Sequence, residues 1–352
     1  MRFLIVKSSA LGDILHAFPV LNYLKERFPH CRIDWIVEDS AKSLLKAHPL
    51  LDQVISFNFK QLRKNPFSSL LWKKFFDSIR NCRKNQYDLL IDLQGNTKSA
   101  FFSSFVNAKQ RLSFARPYLP EWPHLYLKAL RFCPPKGFNI YQDLLYIVQK
   151  YFKESPTAVH SKIELMLSKE EKKCLQRIDF SPELKILIAP FSTWENKQLD
   201  FSQLAFFLEK VLQDFPQAFF YIIWGSVDEK AKAKQIQKRF GTNSYLLEKL
   251  SLPLLQRVVA QLDCVLSMDS LPLHLAASTS KPVFGLFGPS SMRKYHQREN
   301  SGFQGHCPFS QSFEKRCKFL RTCDKAPCMK EMDLEAAYRA FKCLLENKVL
   351  NH

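Results

Sequence analysis

The sequence predicts an α/β protein with two doubly wound, Rossmann-like domains, each a parallel sheet flanked by helices. Three observations lead to this prediction. Apolar, β-branched runs alternate with stretches of helical spacing in both halves of the chain. A charged segment interrupted by prolines, at 153–184, separates the halves. The chain has 352 residues, which is more than one hydrophobic core usually accommodates.

The first half opens with a strand, a tight turn and a helix. An apolar run ends at Lys7, and Gly12 and Asp13 begin a stretch in which apolar residues have helical spacing. The same alternation continues to about residue 152. The predicted strands are 2–7, 32–37, 53–57, 88–93 and 111–115, and the predicted helices are 12–27, 40–47, 68–84, 98–107 and 141–152.

The second half repeats the alternation and ends in an amphipathic helix at 333–348. Its predicted strands are 185–190, 218–225, 264–269 and 282–288, and its predicted helices are 201–214, 228–239, 253–262 and 271–278. We therefore expect an N-terminal domain at 1–165 and a C-terminal domain at 166–330. The last helix, within 331–352, is expected to pack back toward the N-terminal domain.

The formal net charge of +19 implies an anionic partner: nucleic acid, an anionic membrane face or a phosphorylated substrate. Residues 57–84 hold eight Lys or Arg and one acid, interleaved with aromatic residues, and a second basic and aromatic stretch spans 109–136. A solvated helix face over a buried aromatic stripe explains part of this pattern, but solvated faces usually carry both signs of charge. Two such stretches in one half predict a site for an anionic surface.

No apolar run is long enough to span a membrane, and the N-terminus lacks the apolar region of a signal peptide, so we expect a cytosolic protein. The ten cysteines are then expected to be reduced. Four of them, Cys307, Cys317, Cys323 and Cys328, lie close enough in sequence to hold zinc. No CxxC pair is present, which favours plain thiols in a loop.

Asp13 stands at the carboxyl end of the first predicted strand, where ligands bind in open α/β sheets. It is either a catalytic carboxylate or a helix-capping residue, since Asp often caps helices. The motifs GxGxxG and GxxxxGK[ST] are both absent. The chain is therefore neither a simple dinucleotide dehydrogenase nor a P-loop enzyme by motif.

Polar side chains follow four predicted strands of the second half. A lysine beside hydroxyls neutralises a phosphate, a carboxylate accepts both hydroxyls of a ribose, and free N–H groups at the start of helix 271–278 seat an anion. Each residue also has a structural alternative, as a solvated lysine, a helix cap or a core histidine. Their coincidence favours a nucleotide-type site. The candidates are Ser192, Thr193, Lys197, Glu229, Asp269, Ser270 and His274.

Several segments, in the same order, resemble the ADP-heptose:lipopolysaccharide heptosyltransferases, which are glycosyltransferases of family 9 with the GT-B fold. No Asp-x-Asp pair lies at a predicted strand end, which fits a mechanism without a metal. The segments that look most like heptosyltransferase I are at the N-terminus, at QGNTKSA and at FKQLRK. The matching segments are KSSALGDILHAFP (7–19), IDWIVE (33–38), FKQLRK (59–64), YDLLIDLQGNTKSA (87–100), TWENKQLDFSQL (193–204), WGSVDE (224–229), MDSLPLHLAAS (268–278) and FGPSS (287–291).

The resemblance implies a role for each matching residue. Asp13 would be the general base that deprotonates the acceptor hydroxyl, Lys197 would lie at the donor diphosphate, and Glu229 would bind the adenosine ribose. The resemblance also implies an ADP-heptose donor loop made of Asp269, Ser270 and His274. Ser192 and Thr193 are expected at the same donor site from their place after a strand end. The acceptor-binding residues expected in the N-terminal domain are Ser9, Lys60, Arg63, Lys64 and Arg116.

The partners that follow are ADP-heptose, an acceptor of the Kdo–lipid A or inner-core lipopolysaccharide class, and the cytoplasmic face of a Gram-negative inner membrane. The chain is expected to be a peripheral monomer that needs no metal cofactor. It departs from the family at Leu271–Pro272, where glycine is usual, and in its cysteine-rich segment 307–328. The alternatives are a heptosyltransferase II- or III-like member, a catalytically impaired relative and a basic nucleic-acid-binding protein.

Overall fold

The computed structural model describes residues 1–58, 61, 64–65, 67–116, 118–119, 121, 128–158, 162–296, 301–309, 314–320 and 322–350, without the side chains of 74, 75, 98, 348 and 350. The chain divides into two compact units, Met1–Met166 and Leu167–His352. No helix among the described residues is long and apolar enough to cross a membrane.

The first unit contains a six-stranded, fully parallel sheet in the order β3-β2-β1-β4-β5-β6. The strand order reverses between β1 and β4, so the carboxyl ends of these two strands border the crevice where such sheets bind ligands. The strands are β1 (Arg2–Val6), β2 (Arg32–Glu38), β3 (Gln53–Phe57), β4 (Tyr87–Asp92), β5 (Ala108–Phe114) and β6 (Ala129–Phe132). The helices are α1 (Leu11–Leu15), α2 (Phe18–Arg27), α3 (Lys42–Lys46), α4 (Ser69–Lys84), α5 (Thr97–Phe105) and α6 (Ile140–Tyr151).

The second unit repeats this topology in the order β12-β11-β10-β7-β8-β9, again fully parallel. Its reversal point lies between β7 and β10. The strands are β7 (Leu184–Ala189), β8 (Ala218–Ile222), β9 (Ser244–Leu246), β10 (Cys264–Met268), β11 (Val283–Phe287) and β12 (Gly302–Gln304). The helices are α7 (Lys169–Gln176), α8 (Phe201–Asp214), α9 (Val227–Phe240), α10 (Leu252–Val259), α11 (Leu271–Ala276), α12 (Met292–Tyr295), α13 (Pro327–Lys330) and α14 (Leu334–Leu345).

The helix predicted at 12–27 is two helices, α1 and α2, so that prediction was wrong in its continuity. Pro19 is the second residue of α2 and has no N–H to donate to a carbonyl one turn earlier. A proline is tolerated in the first turn of a helix, so a new helix begins there. Three edge strands were not predicted: β6, β9 and β12, each only three or four residues long.

The C-terminal helix α14 belongs to the second unit, whereas we expected it to pack back toward the N-terminal domain. Phe341 is fully buried, with its ring 5.6 Å from that of Phe207 in α8 and 5.2 Å from that of Phe284 in β11. The apolar face of α14, which the sequence showed correctly, is therefore buried against the second sheet and α8.

Candidate active site

Asp13 lies in the turn that follows β1. It is the third residue of the short helix α1, and its Oδ2 accepts a hydrogen bond from the N–H of Ala10 at 3.2 Å. Its side chain is 33% exposed, and Oδ1 lies 3.7 Å from Nδ1 of the buried His16. The helix-capping alternative therefore accounts for the contact of Oδ2. The rest of the carboxylate remains partly exposed to solvent.

Gln94 connects this turn to the turn that follows β4. Its Oε1 accepts hydrogen bonds from the N–H groups of Ser8 at 3.0 Å and Ser9 at 3.3 Å. Asp92 Oδ1 in turn accepts the N–H groups of Gln94 and Gly95 at 2.8 and 3.0 Å. Gly95 has a φ of +66°, a left-handed conformation that favours glycine. The backbone around Asp13 is thus fixed from the neighbouring strand.

Lys7 and Gln94 were not assigned functions from the sequence, although both lie in segments that carry the family resemblance. Lys7 directly follows β1, is 8% exposed, and donates from Nζ to the carbonyl oxygen of Leu93 at 2.9 Å. The sequence shows that a lysine follows the first strand. It does not show that this lysine is buried, because the burial depends on the turn after β4, which lies far away in sequence.

The predicted acceptor-binding residues are only partly placed by the structure. Ser9 lies in the Asp13 turn, Lys64 is exposed, and Arg116 is exposed two residues beyond the end of β5. Lys60 and Arg63 lie outside the described residues.

In the second unit, a buried ionic cluster lies at the carboxyl ends of β7 and β10. Lys197 Nζ donates to Asp269 Oδ2 at 2.6 Å, and His274 Nε2 lies 3.6 Å from Asp269 Oδ1. All three residues are buried. Burial opposes ionisation of Asp269, but the hydrogen bond from His274 and the charge of Lys197 outweigh it and lower the pKa of the Asp269 carboxyl well below its usual range. Three of the predicted donor residues therefore form one charged cluster.

Three oxygens at this edge of the second sheet are buried and accept no hydrogen bond within the described part of the chain. They are Ser270 Oγ after β10, Ser290 Oγ after β11 and Asn196 Oδ1 after β7. Buried polar atoms are normally hydrogen-bonded, and exceptions call for an explanation such as an absent ligand. Ser290, which is fully buried, was noted in the motif FGPSS but not included among the predicted site residues.

Glu229 has a structural role that the sequence did not predict for it. Its Oε2 accepts the N–H groups of Gly225 at 2.6 Å and Ser226 at 3.3 Å, and Ser226 Oγ accepts the N–H of Glu229 at 3.2 Å. This reciprocal capping box starts α9. The hydrogen bonds of this cap to the Glu229 side chain use Oε2 alone.

Ser192 and Thr193 follow β7 and precede the Lys197 turn. The carbonyl of Ser192 accepts from Gln198 Nε2 at 2.7 Å, and Thr193 is exposed. Thr193 lines a polar cleft of about 420 Å³ within the second unit. The other residues that line it include Trp194, Asn196, Cys323, Asp324 and Lys330.

The Leu271–Pro272 departure is accommodated at the start of α11. Ser270 is the residue before the helix, Leu271 is its first residue and Pro272 its second. Because proline has no N–H, the predicted anion seat at this helix start has one backbone donor fewer than expected. The side chains of Lys197 and His274 are the polar side chains that lie with Asp269 beside this helix start.

Cys307, Cys317 and Cys323 line one cleft of about 470 Å³, and Cys328 is buried beside them. Burial, followed by the neighbouring thiols, raises the pKa of Cys328 to about 11. All ten cysteines are free thiols, and no three His, Cys, Asp or Glu side chains among the described residues are arranged to hold a metal ion.

Comparison with known proteins gives one family match and several related proteins. A family model described as glycosyltransferase family 9 (heptosyltransferase) matches residues 75–328. Lipopolysaccharide heptosyltransferase 1 of Campylobacter coli is 29% identical over 308 residues, which cover 82% of this chain and 84% of that protein. The protein of the same name from Pseudomonas aeruginosa is 25% identical over 331 residues, which cover 87% of this chain and 81% of that protein.

Among solved structures, E. coli heptosyltransferase WaaC with ADP superposes with a TM-score of 0.73 at 22% identity. The match covers 86% of this chain and 92% of that chain. The predicted α/β, doubly wound GT-B fold is confirmed by this likeness and by the two six-stranded parallel sheets.

Proposed function

The chain belongs to glycosyltransferase family 9, and we propose that it is an inverting, type I heptosyltransferase that moves heptose from ADP-heptose to the Kdo of Kdo–lipid A. The observation that carries the proposal is the edge of the second sheet. There a buried Lys197–Asp269–His274 cluster lies with buried oxygens that accept no hydrogen bond within the described residues. Such an edge suits a nucleoside diphosphate sugar. The two relatives named lipopolysaccharide heptosyltransferase 1 support heptosyl transfer and the choice of type I.

In this proposal the donor diphosphate binds at Lys197 and His274, with the hydroxyl of Ser270 as a further donor. Asp269 holds Lys197 in place through a 2.6 Å hydrogen bond and leaves its other ammonium hydrogens for a phosphate. Ser192 and Thr193 supply polar groups after the neighbouring strand, and Glu229 binds the ribose hydroxyls with the oxygen not used in the helix cap. Hydrogen bonds from charged groups to phosphate are about twice as strong as neutral ones.

The chemical step that we propose is one displacement at the anomeric carbon. The acceptor oxygen attacks that carbon and passes its proton to the Asp13 carboxylate. The bond from the anomeric carbon to the diphosphate oxygen breaks, and ADP leaves with the electron pair. Asp13 suits the role of general base because its carboxylate is one-third exposed and because Gln94 holds the preceding turn through the N–H groups of Ser8 and Ser9.

The leaving diphosphate is stabilised in this proposal by the Lys197 ammonium group and by hydroxyls, which take the part that a divalent cation has in many nucleotide-sugar enzymes. We therefore propose that transfer needs no added metal. This part of the proposal is tested directly, by assaying turnover in a chelator.

We further propose that the anionic acceptor meets the basic residues of the first unit at the cytoplasmic face of a Gram-negative inner membrane. Ser9, Lys64 and Arg116 are the described members of the acceptor set, and Lys60 and Arg63 complete it by sequence. Arginine and lysine suit the carboxylate and phosphates of a Kdo–lipid A acceptor.

The test is a product analysis with the purified chain, ADP-heptose and Kdo–lipid A in mixed micelles, with and without EDTA. We expect the lipid to gain one heptosyl residue by mass spectrometry in both conditions. Asp13→Asn should lower kcat by about 10²–10⁴-fold, the usual contribution of a general base, without changing the Kd for ADP. Glu26→Gln, which changes an exposed carboxylate on α2, should leave kcat unchanged.

Three results would contradict parts of the proposal. Turnover lost in EDTA and restored by Mg²⁺ would show that a metal is needed. Transfer only to an acceptor that already carries heptose would assign the chain to another heptosyltransferase type. Tight ADP-heptose binding without product from any of these acceptors would identify a catalytically impaired relative.

A further inference from the structure

A polar cleft borders the turn that carries Lys197, and the proposed function uses only Thr193 from it. Its volume is about 420 Å³, which lies in the range of about 300–1,000 Å³ usual for small-molecule sites. We call it the Trp194 cleft. Its lining residues include Thr193, Trp194, Glu195 and Asn196 from the turn after β7, and Asp324 and Lys330 from the stretch 320–330.

Side-chain hydrogen bonds join the two segments that line the Trp194 cleft. Asn196 Nδ2 donates to the carbonyl oxygen of Leu320. Gln203 Nε2, on α8, donates to the carbonyl oxygens of Met329 at 3.0 Å and Lys330 at 2.9 Å. The stretch 320–330, which overlaps the cysteine-rich segment, is therefore held against the turn after β7.

The same turn connects the Trp194 cleft to the proposed diphosphate site. The N–H of Lys197 donates to the carbonyl oxygen of Trp194 at 3.0 Å. The Lys197 side chain, in contrast, points to the ionic cluster, where Nζ donates to Asp269 at 2.6 Å. A donor whose diphosphate lies at Lys197 thus has the cleft beside it.

The polar side chains of the cleft are mostly hydrogen-bond acceptors. Glu195 and Asp324 are exposed, and their carboxylates make no hydrogen bond or ion pair within the described part of the chain. Because Asn196 Nδ2 faces a carbonyl, the other end of the amide is the oxygen, which is buried and accepts no hydrogen bond among the described residues. A ligand of this cleft must therefore supply hydrogen-bond donors.

The charges and the aromatic ring of the cleft narrow the chemistry of that ligand. Phosphate is disfavoured beside the two carboxylates, and a cation is disfavoured by the Lys330 ammonium group, which donates to the carbonyl oxygen of Asp324 at 3.4 Å. Trp194 is 38% exposed and gives the cleft an apolar surface. Hydroxyl donors together with an apolar C–H face are the properties of a sugar.

We propose that the Trp194 cleft is the subsite for the sugar of the donor, and that Trp194, Glu195 and Asp324 bind that sugar. This inference rests on the proposed function, in which the donor diphosphate binds at Lys197. The sugar hydroxyls donate to the two carboxylates, and the C–H face of the sugar packs on the indole ring. The donor sugar, rather than the acceptor, is assigned to the cleft because the cleft shares the Lys197 turn, whereas the acceptor residues belong to the first unit.

The test measures the Kd for ADP and for ADP-heptose by isothermal titration calorimetry without acceptor. The wild type should bind ADP-heptose about tenfold more tightly than ADP, because only the sugar reaches the cleft. Trp194→Ala removes the apolar surface and Asp324→Asn removes a charged acceptor, so each should weaken ADP-heptose binding about tenfold. The Kd for ADP should change less than about twofold in both variants.

Two matched controls change similar side chains of the second unit outside the cleft. Phe206 on α8 is 38% exposed, as Trp194 is, so Phe206→Ala removes an equally exposed aromatic ring. Glu183 is an exposed acid just before β7, at the end of that strand opposite the cleft, and Glu183→Gln removes its charge. Both controls should keep the wild-type Kd for ADP and for ADP-heptose.

Equal affinities of the wild type for ADP and ADP-heptose would overturn the inference, whether or not the chain transfers heptose. So would cleft variants that bind ADP-heptose as the wild type does, or that lose ADP and ADP-heptose binding equally. A wild-type chain that binds neither ligand would instead contradict the proposed function itself, so the two failures are distinguishable.

Discussion

At the scale of single residues, the Lys197–Asp269 pair, which we propose to serve the donor site, should also stabilise the fold. Both side chains are buried, 72 positions apart in sequence, and joined at 2.6 Å. Removing one member of a buried ion pair leaves the other charge without compensation, which typically costs 3–5 kcal/mol. An exposed pair costs much less when it is broken, typically about 0–1 kcal/mol.

We therefore expect Asp269→Asn to lower the free energy of unfolding at pH 7 by about 3–5 kcal/mol in urea titrations. The control Glu209→Gln breaks the exposed ion pair with Arg239 and should cost at most about 1 kcal/mol. A cost for Asp269→Asn no larger than that of Glu209→Gln would show that the pair adds nothing to stability.

The same carboxyl predicts a pH dependence of stability. The pKa of Asp269 is lower in the folded chain than in the unfolded chain, where it is about 3.9. Its contribution is therefore complete above about pH 4 and is lost as the pH falls through the lower, folded-state value. The wild type should lose stability on acidification below about pH 4 more steeply than Asp269→Asn, which lacks this titration.

The sequence located most of these side chains but not their partners. Polar residues after apolar runs are visible in sequence, so Asp13, Lys197 and Asp269 could be predicted to lie at strand ends. The contact between Lys197 and Asp269 depends on β7 and β10 being neighbours, which is a property of the sheet order. The capping role of Glu229 was visible in the spacing of Ser226 and Glu229 but was not predicted.

At the scale of elements, the turns after the strands determine where the candidate site residues lie. The alternation of strands and helices in the sequence predicted the doubly wound fold. It did not predict the break between α1 and α2, because the break depends on a proline and the spacing of apolar residues continues across it. The turn at Gln94 and Gly95 fixes the Asp13 turn through side-chain and backbone hydrogen bonds. No local pattern in the sequence reports that connection, because it joins residues about 85 positions apart.

Gly95→Ala tests this turn against a second glycine that also has a positive φ. A Cβ at Gly95 would lie 2.8 Å from Leu119 Cδ2, and φ is +66°. At Gly241, φ is +48° and no heavy atom lies within 4 Å of the added Cβ. Gly241→Ala should cost about 1–3 kcal/mol for its positive φ alone. Gly95→Ala should cost a further 1–3 kcal/mol or so for overpacking, measured by urea unfolding. Equal costs would mean that Leu119 moves away freely.

At the scale of the whole molecule, the two units share one topology, and the first unit has a helix whose exposed residues are basic and apolar. Both sheets have the same strand order. In the first unit, the outer face of α4 presents exposed basic residues beside exposed apolar ones. The basic residues are Lys73, Arg80, Arg83 and Lys84, and the apolar ones are Leu70, Trp72 and Phe76. Exposed basic residues together with exposed apolar and aromatic residues on one helix are typical of helices that bind anionic membranes.

Removing charge from α4 should therefore weaken membrane binding more than removing equal charge from the second unit. Basic residues near an anionic bilayer contribute about 1 kcal/mol each, so Lys73, Arg80 and Lys84 all changed to Gln should weaken binding to phosphatidylglycerol vesicles about 10²-fold. The matched control changes the exposed Lys232, Lys234 and Lys238 of α9 to Gln. Vesicle sedimentation at rising salt should bring the wild type and the α4 variant together, because exposed charges are screened beyond about 8–10 Å. Equal weakening by both triple variants would mean that the net charge of +19, rather than the α4 surface, governs binding.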